Sequence, residues 1–268
     1  MPETPAPESL IETAVLNVAG RATLPFQAAR ADRSFGTAFW YNDLVESGAE
    51  REVIRQYLVT ADRRTRYDIG QFTLREGLAE PELPADELVL PGFVKKWTAL
   101  GDLGVAAMPT TDLHIHAERK AWRWTTDEIT SGLAARPEDI ALLGPEPLPG
   151  YLLGHEVVHH PESKTPERPQ TLLHGAVTRP APDAPVRWSG PLPVGFDGAP
   201  VFAALPMPDE QVKLVCLGLV LPAGDGSDAE EGADPAAGDR GIVVTFDLLR
   251  PAIHSLTPPR TRRWWQRG

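Results

Sequence analysis

The chain has 268 residues, of which 42% are hydrophobic and 24% are charged, a balance typical of an ordinary globular protein. This length suits one large domain or two small ones. Its 28 prolines and 23 glycines are more than a helical bundle carries, and they favour many short strands joined by turns. The formal net charge of −11 at pH 7 argues against nucleic acid or an anionic membrane surface as the main partner.

Cysteine content and apolar runs predict the compartment. Cys216 is the single cysteine, so no disulfide can form within the chain, and its apolar surroundings predict a small buried core residue. The N-terminus has no basic region followed by an apolar stretch, so it does not read as a signal peptide. No apolar run approaches the roughly 20 residues that a membrane-spanning helix needs. We therefore expect a cytoplasmic protein.

The first nine residues are expected to be flexible, and most of the chain that follows reads as short strands. These stretches are rich in Val, Leu, Thr and aromatic residues, which favours antiparallel strands in a barrel or sandwich. They are Leu10–Val18, Phe35–Tyr41, Val53–Thr60, Ile69–Leu74, Leu88–Phe93, Leu103–Met108, Tyr151–His159, Thr171–Val177, Val201–Leu205, Val212–Leu221 and Gly241–Phe246.

Two helices are predicted. The first begins at the capping pattern "TTDE" (Thr125–Glu128) and runs to about Ala135. The second is the segment "TFDLLRPAI" near the C-terminus, whose length Pro251 limits.

Two segments differ in composition from the rest. Residues Ala223–Asp239 are small, acidic and turn-rich, which predicts a solvated, mobile loop between two strands. The tail Pro258–Gly268 combines four arginines with Trp264 and Trp265. It reads either as a frayed terminus whose tryptophans pack on the body, or as a docking element for a partner, because Trp and Arg are common interface anchors.

Three phrases, in order, resemble motifs of the trypsin-like (chymotrypsin-fold) serine peptidases. In "GTAFWYNDLVESGAEREVIRQYLVTADRRT", aligning "YLVT" with the family puts Arg63 where the general-base histidine stands. The phrase "WTALGDLGVAAMP" puts Asp102 on the acidic member of the triad. The phrase "GFDGAPVF" is similar to the family's GxSGxPVF and puts Asp197 on the nucleophilic serine.

The resemblance covers roughly residues 35 to 253 and implies an all-β fold. That fold is two packed six-stranded antiparallel barrels, here 10–125 and 126–257, with a short helix in the connection and a helix at the C-terminal end. The former active site would lie in the cleft between the barrels.

The substituted positions predict that no catalytic residues remain. A guanidinium stays protonated at any relevant pH, so Arg63 cannot act as the base. A carboxylate at Asp197 is a poor acyl acceptor, and losing a triad nucleophile or base costs about a millionfold in rate. We therefore expect a pseudoprotease that acts as a protein- or peptide-binding regulatory module without a cofactor. An active protease with a rearranged triad remains the alternative.

The replaced residues are predicted to compensate one another. The resemblance assigns the turn Gly195, Phe196, Asp197 and Gly198 to the former oxyanion hole, whose backbone N–H groups would face one point. A carboxylate at Asp197 would then lie beside Arg63, with Asp102 behind it, as a charge-assisted Asp–Arg–Asp cluster. The alternative is that Arg63 points into solvent and the alignment is shifted by one or two residues.

Ser189 is the other candidate nucleophile. The phrase "RWSGPLP" contains the family's SGP, but it lacks the preceding glycine and no apolar strand follows it directly. The resemblance therefore favours Asp197, and not Ser189, as the residue at the nucleophile position.

A rival motif is the literal HExxH of "HEVVH", with His155, Glu156 and His159. In zinc peptidases the two histidines bind the metal from one helix face, and the glutamate activates the metal-bound water. Pro161 and the prolines that follow leave little room for the helices of such a site. The valines favour a strand, on which the two histidines lie too far apart to chelate one zinc. A zinc-dependent metallohydrolase stays as the alternative function.

The remaining histidines and tryptophans have ordinary explanations. His114 and His116 could give two ligands on one face of a strand, but without a clear third ligand we expect surface histidines. The tryptophans Trp97, Trp122, Trp124 and Trp188 are expected to pack in the core or under loops.

Overall fold

The computed structural model describes residues 7–30, 33–47, 52–82, 87–162, 165–208, 211–223 and 241–256. The predicted acidic loop, apart from its first residue, and the Arg/Trp tail lie outside the described residues.

Strands dominate the described chain. The helices are α1 (Pro7–Ala19), α2 (Thr111–Arg119), α3 (Pro137–Ile140) and α4 (Phe246–His254), with 3-10 helices at Asp62–Thr65 and Phe93–Lys96. The first strands are β1 (Thr23–Ala28), β2 (Gly36–Ser47), β3 (Glu52–Ala61), β4 (Ile69–Thr73), β5 (Ala79–Glu80), β6 (Glu87–Pro91), β7 (Thr98–Ala99), β8 (Val105–Pro109) and β9 (Arg123–Trp124). The others are β10 (Leu148–His155), β11 (Gln170–Thr178), β12 (Val186–Ser189), β13 (Pro200–Pro206), β14 (Val212–Pro222) and β15 (Gly241–Thr245).

The C-terminal half is a closed barrel. Its six strands follow the order β10-β11-β12-β15-β14-β13, and all the pairings are antiparallel. Trp188 and Phe196 are fully buried in its core. The all-β fold with a six-stranded C-terminal barrel is therefore confirmed.

The N-terminal half is an open sheet. Seven strands follow the order β6-β4-β1-β2-β3-β8-β7, so this half is an open half-barrel of seven strands where a six-stranded barrel was expected. The strands at its two edges, β6 and β7, both contribute to a groove of about 780 Å³, with Leu90 on one side and Thr98 on the other.

The two halves share a core. One cluster of buried residues contains Phe39 and Tyr41 from β2 together with Tyr151 and Phe202 from the barrel. Helix α4 joins it through Phe246, whose ring lies 5.1 Å from that of Tyr41. Burial of each such side chain contributes roughly 1.5–3 kcal/mol to the free energy of unfolding. The predicted C-terminal helix is confirmed, and it packs against both halves.

Helix α1 replaces the first predicted strand. Val15 and Ala19, four residues apart, are fully buried, whereas Leu10 is 54% exposed. This spacing of buried residues belongs to one helix face and not to a strand. Residues 7–9, which were expected to be flexible, form the first turn of this helix.

The helix predicted from Thr125 is also absent from the structure. Ile129 forms a bridge to Tyr41, its N–H donates to the Trp40 carbonyl at 2.9 Å, and its carbonyl accepts from Asn42 N at 3.0 Å. Pairing with the edge of β2 therefore overrides the local capping pattern.

Three further predictions have structural outcomes. His114 and His116 lie on helix α2 and not on a strand, and His114 is exposed beside Gln56 Oε1 at 2.7 Å. Cys216 is buried in β14 as expected, and burial raises the pKa of its thiol. No helix of the described chain is long and apolar enough to cross a membrane.

Candidate functional site

The site is built on the turn that precedes β13. Gly195 and Gly198 have φ angles of +101° and +87°, values that favour glycine. The turn closes on itself through Phe196 N, which donates to Pro193 O at 3.2 Å. The N–H groups of Gly195 and Asp197 have no acceptor among the described residues.

Thr37 on β2 fastens this turn to the N-terminal sheet. Its N–H donates to the Asp197 carbonyl at 3.0 Å, and its hydroxyl donates to the Gly195 carbonyl at 2.7 Å. The same hydroxyl accepts from His155 N at 3.2 Å. One threonine therefore holds the turn, β2 and β10 in register.

The 3-10 helix Asp62–Thr65 brings two arginines to the turn. It follows β3 directly, and Asp62 N donates to Gly104 O at 2.9 Å, which fixes it beside β8. The Thr65 hydroxyl donates to Asp62 O at 2.8 Å and closes the helical turn. Arg63 and Arg64 project from this short rigid element.

Both arginines contact the same carboxylate oxygen. Arg63 Nε and Arg64 Nε donate to Asp197 Oδ2 at 2.6 and 2.7 Å. The Asp197 side chain is only 4% exposed, while those of Arg63 and Arg64 are 33% and 28% exposed. Such charge-assisted hydrogen bonds are shorter and stronger than neutral ones. The predicted contact between Arg63 and Asp197 is present in the structure.

Asp102 does not join this cluster. Its side chain is exposed in the turn before β8, and in the part of the chain that the structure describes it has no ion pair or hydrogen bond. The predicted Asp–Arg–Asp cluster is therefore an Arg–Asp–Arg cluster. Sequence analysis missed Arg64, because an alignment to a family position singles out only one residue of a pair such as Arg63–Arg64.

The HEVVH segment does not form the helix that a zinc peptidase motif requires. His155 ends β10, and the chain continues extended, with Val158 bridged to Glu167. Glu156 N donates to Pro169 O at 3.1 Å, and the His159 side chain is exposed. The structure therefore does not place His155 and His159 on one helix face.

His155 is fully buried with both ring nitrogens engaged. Its Nδ1 lies 3.1 Å from the Arg168 carbonyl, which can only accept, so Nδ1 carries the proton. Its Nε2 then accepts from the Thr23 hydroxyl at 3.0 Å, and Gln170 Nε2 donates to that hydroxyl at 2.7 Å. Burial lowers the pKa of His155 to about 3. This ring is neutral and structural.

Arg168 is a buried cation beside the same region. Its guanidinium lies 4.9 Å from the centre of the Phe35 ring and donates to Gly36 O at 3.2 Å. Its Nε has no partner, and no carboxylate pairs with it among the described residues. Burial lowers its pKa to about 10, so the residue stays charged at neutral pH.

Ser189 lies within β12, opposite Ala176 of β11. It is part of the barrel wall and not of the glycine turn. The structure therefore does not give it the position of a nucleophile at this turn.

Comparison with known proteins supplies the fold. No family model matches the sequence, and no curated protein matches it. Among solved structures, a serine endoprotease from Yersinia pestis matches with a TM-score of 0.50 and 10% identity over 94% of this chain and 69% of its own.

Two other structures match at lower TM-scores. The HtrA-type protease AlgW with a tripeptide has a TM-score of 0.42 and 13% identity, over 88% of this chain and 60% of its own. The catalytically inactive tobacco etch virus protease in complex with substrate has a TM-score of 0.44 and 7% identity, over 88% of this chain and 83% of its own.

The closed C-terminal barrel, the curved N-terminal sheet packed against it and the likeness to the Yersinia pestis enzyme agree with one another. The chain therefore has the chymotrypsin-like fold of the trypsin-like serine proteases.

Proposed function

We propose that this protein is a non-catalytic member of the trypsin-like fold that binds a protein or peptide segment at the Asp197 turn. The observation that carries this proposal is the buried carboxylate of Asp197, held by Arg63 and Arg64. In the register that the sequence predicts, Asp197 replaces the nucleophile and Arg63 replaces the base. Neither a carboxylate locked in two ion pairs nor a permanent cation can perform serine-type acyl transfer.

Among the described residues, no other side chain that could act as a base is hydrogen-bonded to the turn. His155 is the histidine hydrogen-bonded to the elements of the turn, but it is fully buried and both its ring nitrogens are engaged. Its lowered pKa also makes it a weak acceptor at neutral pH. Within the part of the chain that the structure describes, general-base catalysis at the Asp197 turn therefore has no hydrogen-bonded side chain to support it.

Binding is supported by the backbone of the turn. The N–H groups of Gly195 and Asp197 have no acceptor in the described residues, and an extended peptide presents carbonyl groups that can accept from such donors. The net charge of −11 favours a protein or peptide partner over nucleic acid.

Absence of serine-type catalysis is tested with a serine-directed phosphonate. We expect no labelling of the protein and no cleavage of a broad peptide library, under conditions in which trypsin is labelled fully. The variant Asp197→Ser is expected to remain unlabelled as well, because the restored hydroxyl would have no base to activate it. Stoichiometric labelling of the unaltered protein would show that an active nucleophile exists and would overturn the proposal.

Peptide binding at the turn is tested by obstruction. Val194 adjoins Gly195 and is 60% exposed, while Val212 is 62% exposed at the far end of β14, opposite Pro206. Peptides selected from a random display library against the unaltered protein are measured by fluorescence anisotropy. Val194→Trp is expected to weaken their binding at least about tenfold, since steric exclusion at a contact site costs about 1.4 kcal/mol or more, and Val212→Trp is expected to leave it unchanged. Equal effects of the two variants would place the binding surface elsewhere.

A further inference from the structure

The Arg–Asp–Arg cluster carries more positive than negative charge. Two guanidinium groups converge on one oxygen of one carboxylate, at 2.6 and 2.7 Å. No second carboxylate reaches either arginine within the described residues. In a protein whose net charge is −11, this is a local excess of one positive charge at the proposed binding site.

The terminal nitrogens of both arginines are available to a ligand. A guanidinium has five N–H donors, and Asp197 uses only the Nε–H of each. The Nη atoms of Arg63 and Arg64 have no partner in the part of the chain described, and they are not among its buried unpartnered atoms. They are therefore reached by solvent and can donate to a bound anion.

The two guanidinium groups are also held in place before any ligand arrives. Asp197 is buried in a turn that Thr37 fastens through two hydrogen bonds, and each Nε–H is tied to it. A long arginine side chain otherwise loses rotamer freedom when it binds. Because this cost is met within the folded protein, the pair is preorganised for a planar, two-oxygen anion.

Arg168 adds to the potential at this place. Its Nη2 donates to Gly36 O, and a Cβ on Gly36 would lie 3.4 Å from Arg64 Cβ, so the two arginines flank one residue. Burial raises the pKa of the Tyr67 hydroxyl, and the positive charges of Arg168 and Arg64 both oppose that rise. Tyr67 therefore lies near both arginines. The Arg168 charge has no carboxylate partner in the described chain.

We propose that Arg63 and Arg64 bind a carboxylate group of the peptide segment, through the Nη atoms that Asp197 leaves available. This inference rests on the proposed function and names the chemistry of the ligand. A carboxylate matches the cluster because its single charge balances the excess and its two oxygens suit the arginine fork. The carboxylate can come from the peptide's C-terminus or from an Asp or Glu side chain.

The anion site itself is tested with acetate. Acetate replaces chloride at constant ionic strength while the ¹⁵N–¹H signals of the arginine side chains are recorded by NMR. We expect saturable shifts of the Arg63 and Arg64 signals, with a millimolar dissociation constant. In Arg63→Gln and in Arg64→Gln the shift of the remaining arginine should disappear, whereas both shifts should persist in Arg66→Gln. Arg66 is the matched control, because it is two positions along the chain and pairs with Asp62 at 2.5 Å instead of Asp197.

Three results would overturn the inference. The first is that acetate produces no saturable shift, and the second is that Arg66→Gln loses the acetate-induced shifts to the same extent as Arg64→Gln. The third is that inorganic phosphate binds more tightly than acetate. The conservative variants Arg63→Lys and Arg64→Lys keep the charge but lose the fork. They are expected to bind acetate about tenfold more weakly, as for a lost bidentate hydrogen bond. Backbone amide spectra show whether each variant is folded.

Peptides then identify the source of the carboxylate. Each selected peptide is compared with its C-terminal amide and with versions in which each Glu or Asp becomes Gln or Asn. One of these neutral forms is expected to bind the unaltered protein at least about tenfold more weakly than the parent peptide does. In Arg63→Gln the parent peptide and this neutral form are expected to bind equally. If peptides bind at Val194 but no neutral form is weaker, this inference fails and the proposed function stands. If acetate binds but no peptide does, the proposed function fails and the anion site stands.

Discussion

Lowering the pH from 7 to 4 is expected to reduce the free energy of unfolding by about 3 kcal/mol through His155 alone. Burial lowers the pKa of this ring to about 3, and the charges of Arg168 and Arg75 act in the same direction. In the unfolded chain the pKa returns to about 6.5, so between pH 6.5 and pH 3 the unfolded state binds the proton that the folded state refuses. The stability that the neutral His155 ring contributes is therefore complete above pH 6.5 and is lost as the pH falls towards 3.

The measurement is urea unfolding of the unaltered protein at pH 7 and pH 4, set beside two variants. His155→Gln removes the titrating group, and although it is expected to be less stable at pH 7, its stability should change less between the two pH values. His159→Gln is the control, because His159 is exposed on the same segment. Carboxylates change the stability of all three proteins alike, so the difference isolates His155. Equal pH dependence in the unaltered protein and His155→Gln would contradict a buried neutral ring.

His155 matters for more than acid stability because it joins the two halves of the fold. The chain of hydrogen bonds from Gln170 through Thr23 to His155, and on to the Arg168 carbonyl, links β1 of the N-terminal sheet to the C-terminal barrel. The backbone N–H of His155 also donates to Thr37, which holds the Asp197 turn. Protonation of this ring would remove the hydrogen bond that Nε2 accepts from the Thr23 hydroxyl. We therefore expect binding at the Asp197 turn to weaken over the same pH range in which the free energy of unfolding falls.

Sequence patterns were sufficient for the parts of the fold that local residue types determine. Runs of Val, Leu and aromatic residues predicted most of the longer strands, and "TFDLLRPAI" predicted α4. The pattern failed where tertiary packing decides. The run Leu10–Val18 has the composition of a strand, yet Val15 and Ala19 bury one helix face. Strand β1 was missed because Pro25 interrupts its apolar pattern, although its pairing with β2 and β4 is extensive.

The candidate site was only partly predictable for a similar reason. The alignment of "YLVT" and "GFDG" brought Arg63 next to Asp197, since "YLVT" lies at the end of β3 and "GFDG" forms the turn before β13, and these two places meet in the structure. It could not show that Arg64 turns to the same oxygen, because this depends on the 3-10 helix that follows β3. Nor could it show that Asp102, on its own exposed turn, stays outside the cluster.

Gly198→Ala is expected to lower the free energy of unfolding by about 3 kcal/mol. The residue has a φ of +87°, which costs an L-residue about 1–2 kcal/mol. A Cβ there would also lie 2.7 Å from Thr37 O and 2.7 Å from Ala61 N. Both are backbone atoms of β2 and β3 that cannot move aside, and such overpacking costs about 1–3 kcal/mol more.

Gly77→Ala is the matched control for this variant. Gly77 has a φ of +78°, but the nearest atom to its Cβ position is Arg21 Cδ at 4.0 Å, so only the backbone strain remains. Urea unfolding should give a loss of about 1 kcal/mol for Gly77→Ala, with the excess in Gly198→Ala measuring how closely the turn is pressed against β2 and β3. Equal losses would mean that the turn can move away from these strands. In that case Asp197 would not be held rigidly, and the preorganisation of Arg63 and Arg64 would lose its structural basis.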